Sequence, residues 1–326
     1  MITLRPYQER LLDAVRAEMR HGHHAVLAVA PTGSGKTIIA AELAHRVTGN
    51  GKTIWFGVHR DFLIEQTSGS FTKVGVPHGF IAAGRPEGVV PAMVVAIDTL
   101  RSRLHRTTVK PDIFVFDEAH HCRAESWLKV WDWLGPQTRI IGLTATPQRL
   151  DGAGLGVIPG KPGGFSSLVQ GPTTADLMRL GMLSGYRAFA PSTPDLSGVR
   201  TVAGDYDAHQ LSEAVERSVI VGDVVDHWRR HAPGRKSVYF AVNIGFSKRL
   251  AEAFEDAGVP ALHIDGTTPS AERVAAAKAL AEGRVRVLVN VALMGEGFDL
   301  AAVAGLDCNV ECVGLVRPTQ SLALHL

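Results

Sequence analysis

The segment Ala30-Pro31-Thr32-Gly33-Ser34-Gly35-Lys36-Thr37 has the residue types and spacing to cradle a phosphate. Gly33 and Gly35 allow bends that a side chain would obstruct, so that consecutive backbone N–H groups converge on an anion at a helix start. Lys36 has the reach to meet β- and γ-phosphates, and the Thr37 hydroxyl suits Mg²⁺. Ala30 stands where the usual pattern has its first glycine. The flanks supply the required context: Ala25-Val26-Leu27-Ala28-Val29 reads as a buried strand, and Ile38 to Ala44 reads as a helix. Alone, the loop implies a bound nucleotide, with an ordinary glycine-rich turn as the alternative.

A second group, Asp117-Glu118-Ala119-His120, directly follows the apolar run Ile113-Phe114-Val115-Phe116. An aspartate at a strand end can hold Mg²⁺ through water, and the glutamate beside it can polarise an attacking water. Phosphoryl transfer needs that division of labour, with a lysine and a metal neutralising the phosphate oxygens.

The elements that must carry these groups alternate between strands and helices. Residues 5–20 read as a helix, with Tyr7, Leu11, Leu12, Val15 and Met19 at helical spacing. Apolar runs at 53–58, 93–97, 113–116 and 139–143 read as buried strands of a parallel sheet, and helices are expected at 61–74 and around Trp127 to Leu134. The tryptophans there suit either a base-stacking platform or core packing, and their helical spacing favours the core. The strand ends are polar: His59-Arg60, Asp98-Thr99 and Asp117 to His120; the strand at 139–143 runs into Thr144-Ala145-Thr146-Pro147. In an open α/β sheet such ends share one rim with the phosphate loop. Gly, Pro and Ser dominate 148–170, which reads as a mobile loop; a short helix is expected at 173–181 and a strand at 186–190. After a linker-like stretch and a helical region at 208–231, the alternation restarts with strands at 237–242, 261–264 and 286–291 and helices at 246–257 and 270–282.

Composition narrows the class. The 326 residues allow two domains, and 34 Lys+Arg against 32 Asp+Glu leave a net charge of +2, so any basic surface for a polyanion must be local. Cys122, Cys308 and Cys312 are too few and too oddly spaced for a disulfide framework or a zinc site, which fits a reducing cytosol. No charged leader with an apolar core opens the sequence and no apolar stretch approaches a membrane span, so a cytoplasmic protein with no membrane partner is expected. His21-Gly22-His23-His24 reads as a solvated loop rather than a metal site.

Taken in order, Arg5-Pro6-Tyr7-Gln8, Ala30 to Thr37, Val58-His59-Arg60 with Gln66, Ile97-Asp98-Thr99-Leu100, Asp117 to His120, Leu143 to Pro147 with Arg149-Leu150-Asp151-Gly152, and Gly295 to Asp299 form an ordered motif set. The set resembles that of superfamily 2 helicases and translocases of the DEAD/DEAH-box type. More narrowly, it resembles the branch of type III restriction helicase subunits and phage-encoded DNA helicases. The resemblance implies an α/β protein of two RecA-like P-loop domains, each a mostly parallel sheet flanked by helices. Residues 1–190 would form the first, 191–218 a linker, and 219–326 a second, incomplete domain.

The resemblance further implies ATP and Mg²⁺ as cofactors and nucleic acid as partner, DNA in preference to RNA. Accessory replication, repair or restriction proteins stay unspecified. Lys36, Asp117 and Glu118 would be catalytic, and Thr37 and Asp117 would hold the metal. Gln8, Thr32, Gly33, Ser34, Gly35, Lys36, Thr37, Gly297 and Asp299 would bind ATP, Gln8 by reading adenine. His120, Thr144 and Thr146 would couple nucleotide state to nucleic-acid grip, and Arg60 and Thr99 would line the nucleic-acid path. The expected activity is ATP-dependent helicase or translocase action, with unwinding and translocation alone both open. After Arg317 to Leu326 the resemblance calls for a glutamine–glycine–arginine segment bearing an arginine finger, so the chain is expected to be truncated before it. Two alternatives stand: an ATP- and DNA-binding fragment without effective turnover, and a different P-loop phosphotransferase, which leaves the second α/β half without a role.

Overall fold

The computed structural model of the chain describes residues 3–59, 61–86, 88, 90–147, 154–157, 163–189, 195–202, 205–218, 221–291, 293 and 300–318. The chain divides into two compact units, 1–186 and 187–325.

The first unit runs α1 (Pro6–Arg20), β1 (Ala25–Val29), α2 (Lys36–Gly49), β2 (Ile54–Val58), α3 (Asp61–Lys73), β3 (His78–Ile81), β4 (Ala92–Ala96), α4 (Ile97–Arg103) and β5 (Ile113–Phe116). A 3₁₀ turn at Ala119–Arg123, α5 (Glu125–Leu134), β6 (Arg139–Thr144), β7 (Ser167–Gln170) and α6 (Thr174–Arg179) complete it. Its strands form one parallel sheet in the order β3-β4-β2-β5-β6-β1-β7. β1, β2 and most of β4, β5 and β6 are buried along their length, as a sheet covered on both faces requires. Leu11, Leu12 and Val15 of α1, Ile39 and Ala40 of α2 and Phe71 of α3 fill one face. Ile97, Leu100, Trp127, Val130 and Leu134 of α4 and α5 fill the other. Trp127 and Trp131 stack on Phe116 at 5.4 and 5.5 Å between ring centroids, so the tryptophan helix serves the core.

Two readings of the sequence differ from the structure in this unit. Ser167–Gln170, inside the stretch read as a loop, is a strand on the free edge of β1; with Leu168 51% exposed and one buried residue, Val169, it carries almost no periodic signal. The strand expected at 186–190 does not form among the described residues 186–189, where the chain passes into the second unit: Tyr186 and Phe189 are 78% and 52% exposed, and the Phe189 ring stacks on His231 at 4.1 Å between centroids. Edge strand β3 is likewise silent in the sequence, its Gly79 resembling a turn; that glycine leaves room for Met93, whose sulfur lies 2.9 Å from where a Cβ would sit.

The second unit begins with the hairpin β8 (Thr201–Val202) and β9 (Asp205–Tyr206), then α7 (Ala208–Ser218), α8 (Val221–His231), β10 (Ser237–Phe240), α9 (Ile244–Asp256), β11 (Ala261–Ile264), α10 (Ser270–Ala281), β12 (Val287–Asn290), α11 (Leu300–Ala304) and β13 (Cys312–Leu315). The sheet order is β11-β12-β10-β13, all parallel. Leu211 and Val215 of α7, in the stretch expected as linker, are fully buried with Trp228, Phe246, Leu250 and Phe254 on one face of this sheet. Ala276, Ala277 and Leu280 of α10 fill the other.

One close approach positions the chemistry of the first unit. A Cβ on Gly142 of β6 would lie 2.8 Å from the Ala119 methyl and would overlap the Phe165 ring. The missing side chain is what lets the turn after β5 sit down on the sheet. Gly142→Ala overpacks this contact and should lower stability by about 1–3 kcal/mol, read from urea unfolding; a change within about 0.5 kcal/mol would mean that the turn simply lifts away.

Candidate nucleotide site

β1 delivers the chain to the phosphate loop. Its last residue, Val29, pairs with Thr144 on β6 and with Gln170 on β7, and the ladder continues as the Ala30 N–H donates to the Thr144 carbonyl at 2.9 Å. Gly171 lets the chain after β7 pass close to this exit: a Cβ there would stand 2.8 Å from the Val29 carbonyl oxygen, while the Ala30 methyl, which replaces the usual glycine, would be in ordinary contact at 3.4 Å.

Gly33 and Gly35 take φ of 79° and 81°, the left-handed region that favours glycine. Lys36 is the first residue of α2, with Nζ 3.3 Å from the Ala30 carbonyl and 4.0 Å from Glu118 Oε1. Thr37 follows in the same first turn, where backbone N–H groups lack helical partners. Thr32 is exposed, whereas Ser34 is fully enclosed. The Ser34 carbonyl accepts from Tyr7 Oη at 3.0 Å and from Gln8 Nε2 at 2.9 Å, and Gln8 Oε1 accepts from the Arg5 N–H at 2.9 Å. Gln8 thus braces the loop. Tyr7 does the same; its helical spacing marks it only as a core residue. Arg46 of α2 grips Glu9 through two 2.7 Å bonds and Glu42 through one of 2.8 Å, which fixes α1 to the loop's helix.

The carboxylates come from the turn after β5. The Asp117 N–H donates to the Gly57 carbonyl at 3.0 Å, which ties the turn to the end of β2. Glu118 is buried. His120, also buried, places Nδ1 3.6 Å from Glu118 Oε2 and 3.3 Å from Thr144 Oγ1. Thr144 Oγ1 donates to the Thr146 carbonyl at 2.8 Å and accepts the Thr146 N–H at 3.2 Å. Lys36, Asp117, Glu118, His120, Thr144 and Thr146 therefore share one corner, as the parallel rim requires. Thr99 lies in the first turn of α4, after β4, and β2 separates β4 from β5 in the sheet. Arg60, Gly297 and Asp299 lie outside the described residues.

These residues fit a nucleotide and a divalent cation. The enclosed Ser34 hydroxyl has no hydrogen-bond partner, and a Cβ on Gly35 would fall 2.6 Å from Gln8 Nε2, so the cradle admits only glycine there. Burial, reinforced by the neighbouring Glu118 carboxylate, pushes the Asp117 carboxyl up to about 7. A hard cation would relieve that crowding, and Thr37 and Asp117 supply the oxygen donors it prefers.

The raised Asp117 carboxyl has a sign that can be checked. Its folded-state value lies above the unfolded one of about 3.9, so the folded chain loses stability as pH rises from about 4 to about 7. In metal-free solution Asp117→Asn should therefore raise the thermal midpoint at pH 8, with the gain vanishing near pH 4; an Asn variant no more stable at pH 8 would refute the enclosed, crowded carboxyl.

Residues 1–149 match the family of the type III restriction enzyme res subunit, and 219–306 match the helicase conserved C-terminal domain. A 51.5 kDa protein of a Lactococcus phage (isolate 7-9) is 32% identical over 296 residues, covering 91% of this chain and 60% of that protein. The chain spans 48–60% of the length of the first three curated relatives. Among solved structures, an ATP-dependent type ISP restriction-modification enzyme bound to DNA superposes with a TM-score of 0.63 at 15% identity, over 98% of this chain and 26% of that one. The Hef helicase domain of Pyrococcus furiosus superposes with a TM-score of 0.53 at 15% identity, over 96% of this chain and 90% of its own. At such identities the structural likeness speaks for the RecA-like fold alone. Two helicase family models matched in order, together with the phage relative, support a superfamily 2 helicase of the type III restriction-like branch.

Proposed function

We propose that this chain binds ATP and Mg²⁺ on the loop 30–37 and couples ATP hydrolysis to movement on nucleic acid, DNA in preference to RNA. The observation that carries the reading is Lys36 Nζ standing 4.0 Å from Glu118 Oε1, with Asp117 on the same turn. It supports a phosphate-neutralising role for the ammonium, a water-orienting role for one carboxylate and a metal-holding role for the other.

In this reading Lys36 grips the β- and γ-phosphates, Thr37 and Asp117 hold the cation, and Glu118 orients the water. Bound Mg²⁺ would neutralise phosphate oxygens as charge develops. Thr32, Gly33, Ser34 and Gly35 offer backbone to the phosphates. Gln8 keeps a second N–H and a second lone pair for adenine while bracing Ser34. His120, Thr144 and Thr146, hydrogen-bonded in series, couple the site to the rest of the sheet. Arg60 and Thr99 serve the nucleic-acid path, and Gly297 and Asp299 serve ATP binding. The preference for DNA rests on the likeness of residues 1–149 to the type III restriction branch; the structural neighbours include both DNA-bound and RNA-bound proteins.

Phosphate release with and without single-stranded DNA or RNA tests this directly. Lys36→Ala and Glu118→Gln should each lower turnover by about a hundredfold or more, and Glu118→Gln should retain ATP binding. Unchanged turnover in either variant would defeat the assignment. Nucleic-acid affinity should fall steeply as salt rises, because phosphate contacts dominate. Binding that is insensitive to salt and specific for one sequence would count against movement along the strand.

A further inference from the structure

Glu118 sits at φ 48° and ψ 55° and is the one non-glycine residue with positive φ among the described residues. A side chain holds that left-handed conformation only where its surroundings over-determine it. The next residues show what does so. The His121 N–H donates to the Glu118 carbonyl at 3.0 Å and closes the turn. The His121 ring is packed from several directions: its centroid lies 4.2 Å from that of His120, 4.9 Å from that of His59 at the end of β2, and 5.8 Å from that of Trp127 on α5.

We propose that His121 is a positioning residue for Glu118. Its ring, wedged between the end of β2 and α5, fixes the left-handed turn that brings the Glu118 carboxylate to Lys36. His121 lies just past the four-residue acidic group and took no role from the sequence. A side chain without a ring leaves a void between β2 and α5, and the turn then relaxes toward the ordinary right-handed region. That relaxation carries Glu118 Oε1 away from Lys36 and His120 Nδ1 away from Thr144, while the phosphate loop, braced by Tyr7 and Gln8, keeps its shape. The signature is a loss of turnover with little loss of ATP binding. The inference rests on the reading of Glu118 as the group that orients the attacking water.

The test uses the full chain as wild type, Glu118→Gln, His121→Ala, His121→Phe, His59→Ala and the His59→Ala/His121→Ala double variant. DNA-stimulated phosphate release is measured alongside hydrogen–deuterium exchange of the 117–123 and 30–37 segments. His121→Ala should lower kcat about tenfold or more while KM for ATP stays within about twofold, and His121→Phe, which keeps a flat ring, should recover kcat to within about threefold of wild type. The double variant should lose no more than His121→Ala, since both substitutions break one contact. Exchange at 117–123 should quicken in His121→Ala, return in His121→Phe, and stay unchanged at 30–37 throughout. Unchanged kcat with unchanged exchange overturns the proposal. So does a loss that phenylalanine fails to rescue, or one that extends equally to the phosphate loop. If wild type releases no phosphate, the reading of Glu118 falls, while exchange still decides whether His121 holds the turn.

Discussion

Strand β1 has a parallel partner on each side, and the first unit depends on that constraint. Pairing of Val29 with both Thr144 and Gln170 fixes where the chain leaves the sheet, and the Ala30–Thr144 bond carries the ladder one residue into the loop. Parallel strands end on one side, so the phosphate loop, the turn after β5 and the corner after β6 meet without any long excursion. Each connection is one hydrogen bond long: Ala30 to Thr144, Asp117 to Gly57, Gly171 to Val29. A slip of the β1 register by one residue would turn its buried side chains to the other face and withdraw Lys36 from Glu118 together.

Within that frame the electrostatics are unbalanced. One ammonium, Lys36, faces two adjacent carboxylates in an enclosed corner, and the Asp117 carboxyl responds by holding its proton toward neutrality. Asp265 in the second unit shows the opposite outcome for the same residue type. Its side chain accepts from the Thr267 hydroxyl and N–H, both at 2.7 Å, lies 3.0 Å from His263 Nε2, and is held well below the usual carboxylate range by those donors. Asp265 has its charge satisfied by its own turn and is complete as it stands. Asp117 is governed instead by burial and a like charge, which outweigh the turn backbone and Lys36.

The sequence showed most of this corner because its parts announce themselves locally. Glycines at fixed spacing, an apolar run ending in two acids, and threonines after another apolar run are each short-range signals, and parallel topology then brings them together. What it hid depends on long-range contact. β7 owes its place to the free edge of β1, not to its own pattern, and β13 pairs with β10 although Val313 and Leu315 are more than half exposed. α7, helical already in the sequence, reads as part of the linker because Leu211 and Val215 gain meaning only against Trp228 and Phe254. The bracing by Tyr7 is hidden for a similar reason: a tyrosine at helical spacing reads as core, and only the fold shows its hydroxyl reaching the Ser34 carbonyl.

The two glycines of the loop carry a heavier demand than loop flexibility. At Gly35 the left-handed φ alone would disfavour a side chain, and Gln8 Nε2 also occupies the space a Cβ would need. Gln8 can approach so closely only because α1 is held to α2 by the Arg46–Glu9 pair and by the Tyr7 bond. At Gly33 the left-handed φ is the constraint; the Leu183 end methyl lies 2.6 Å from where a Cβ would stand, so the chain beyond α6 touches the loop, but that methyl can turn aside. A substituted Gly35 would thus fail twice, through backbone strain and through displacement of Gln8, and a substituted Gly33 through backbone strain. A loop gripped from both ends of the first unit keeps its N–H groups aimed at one point before any ligand arrives, and a preorganised anion cradle of that kind is what a nucleotide phosphate site needs.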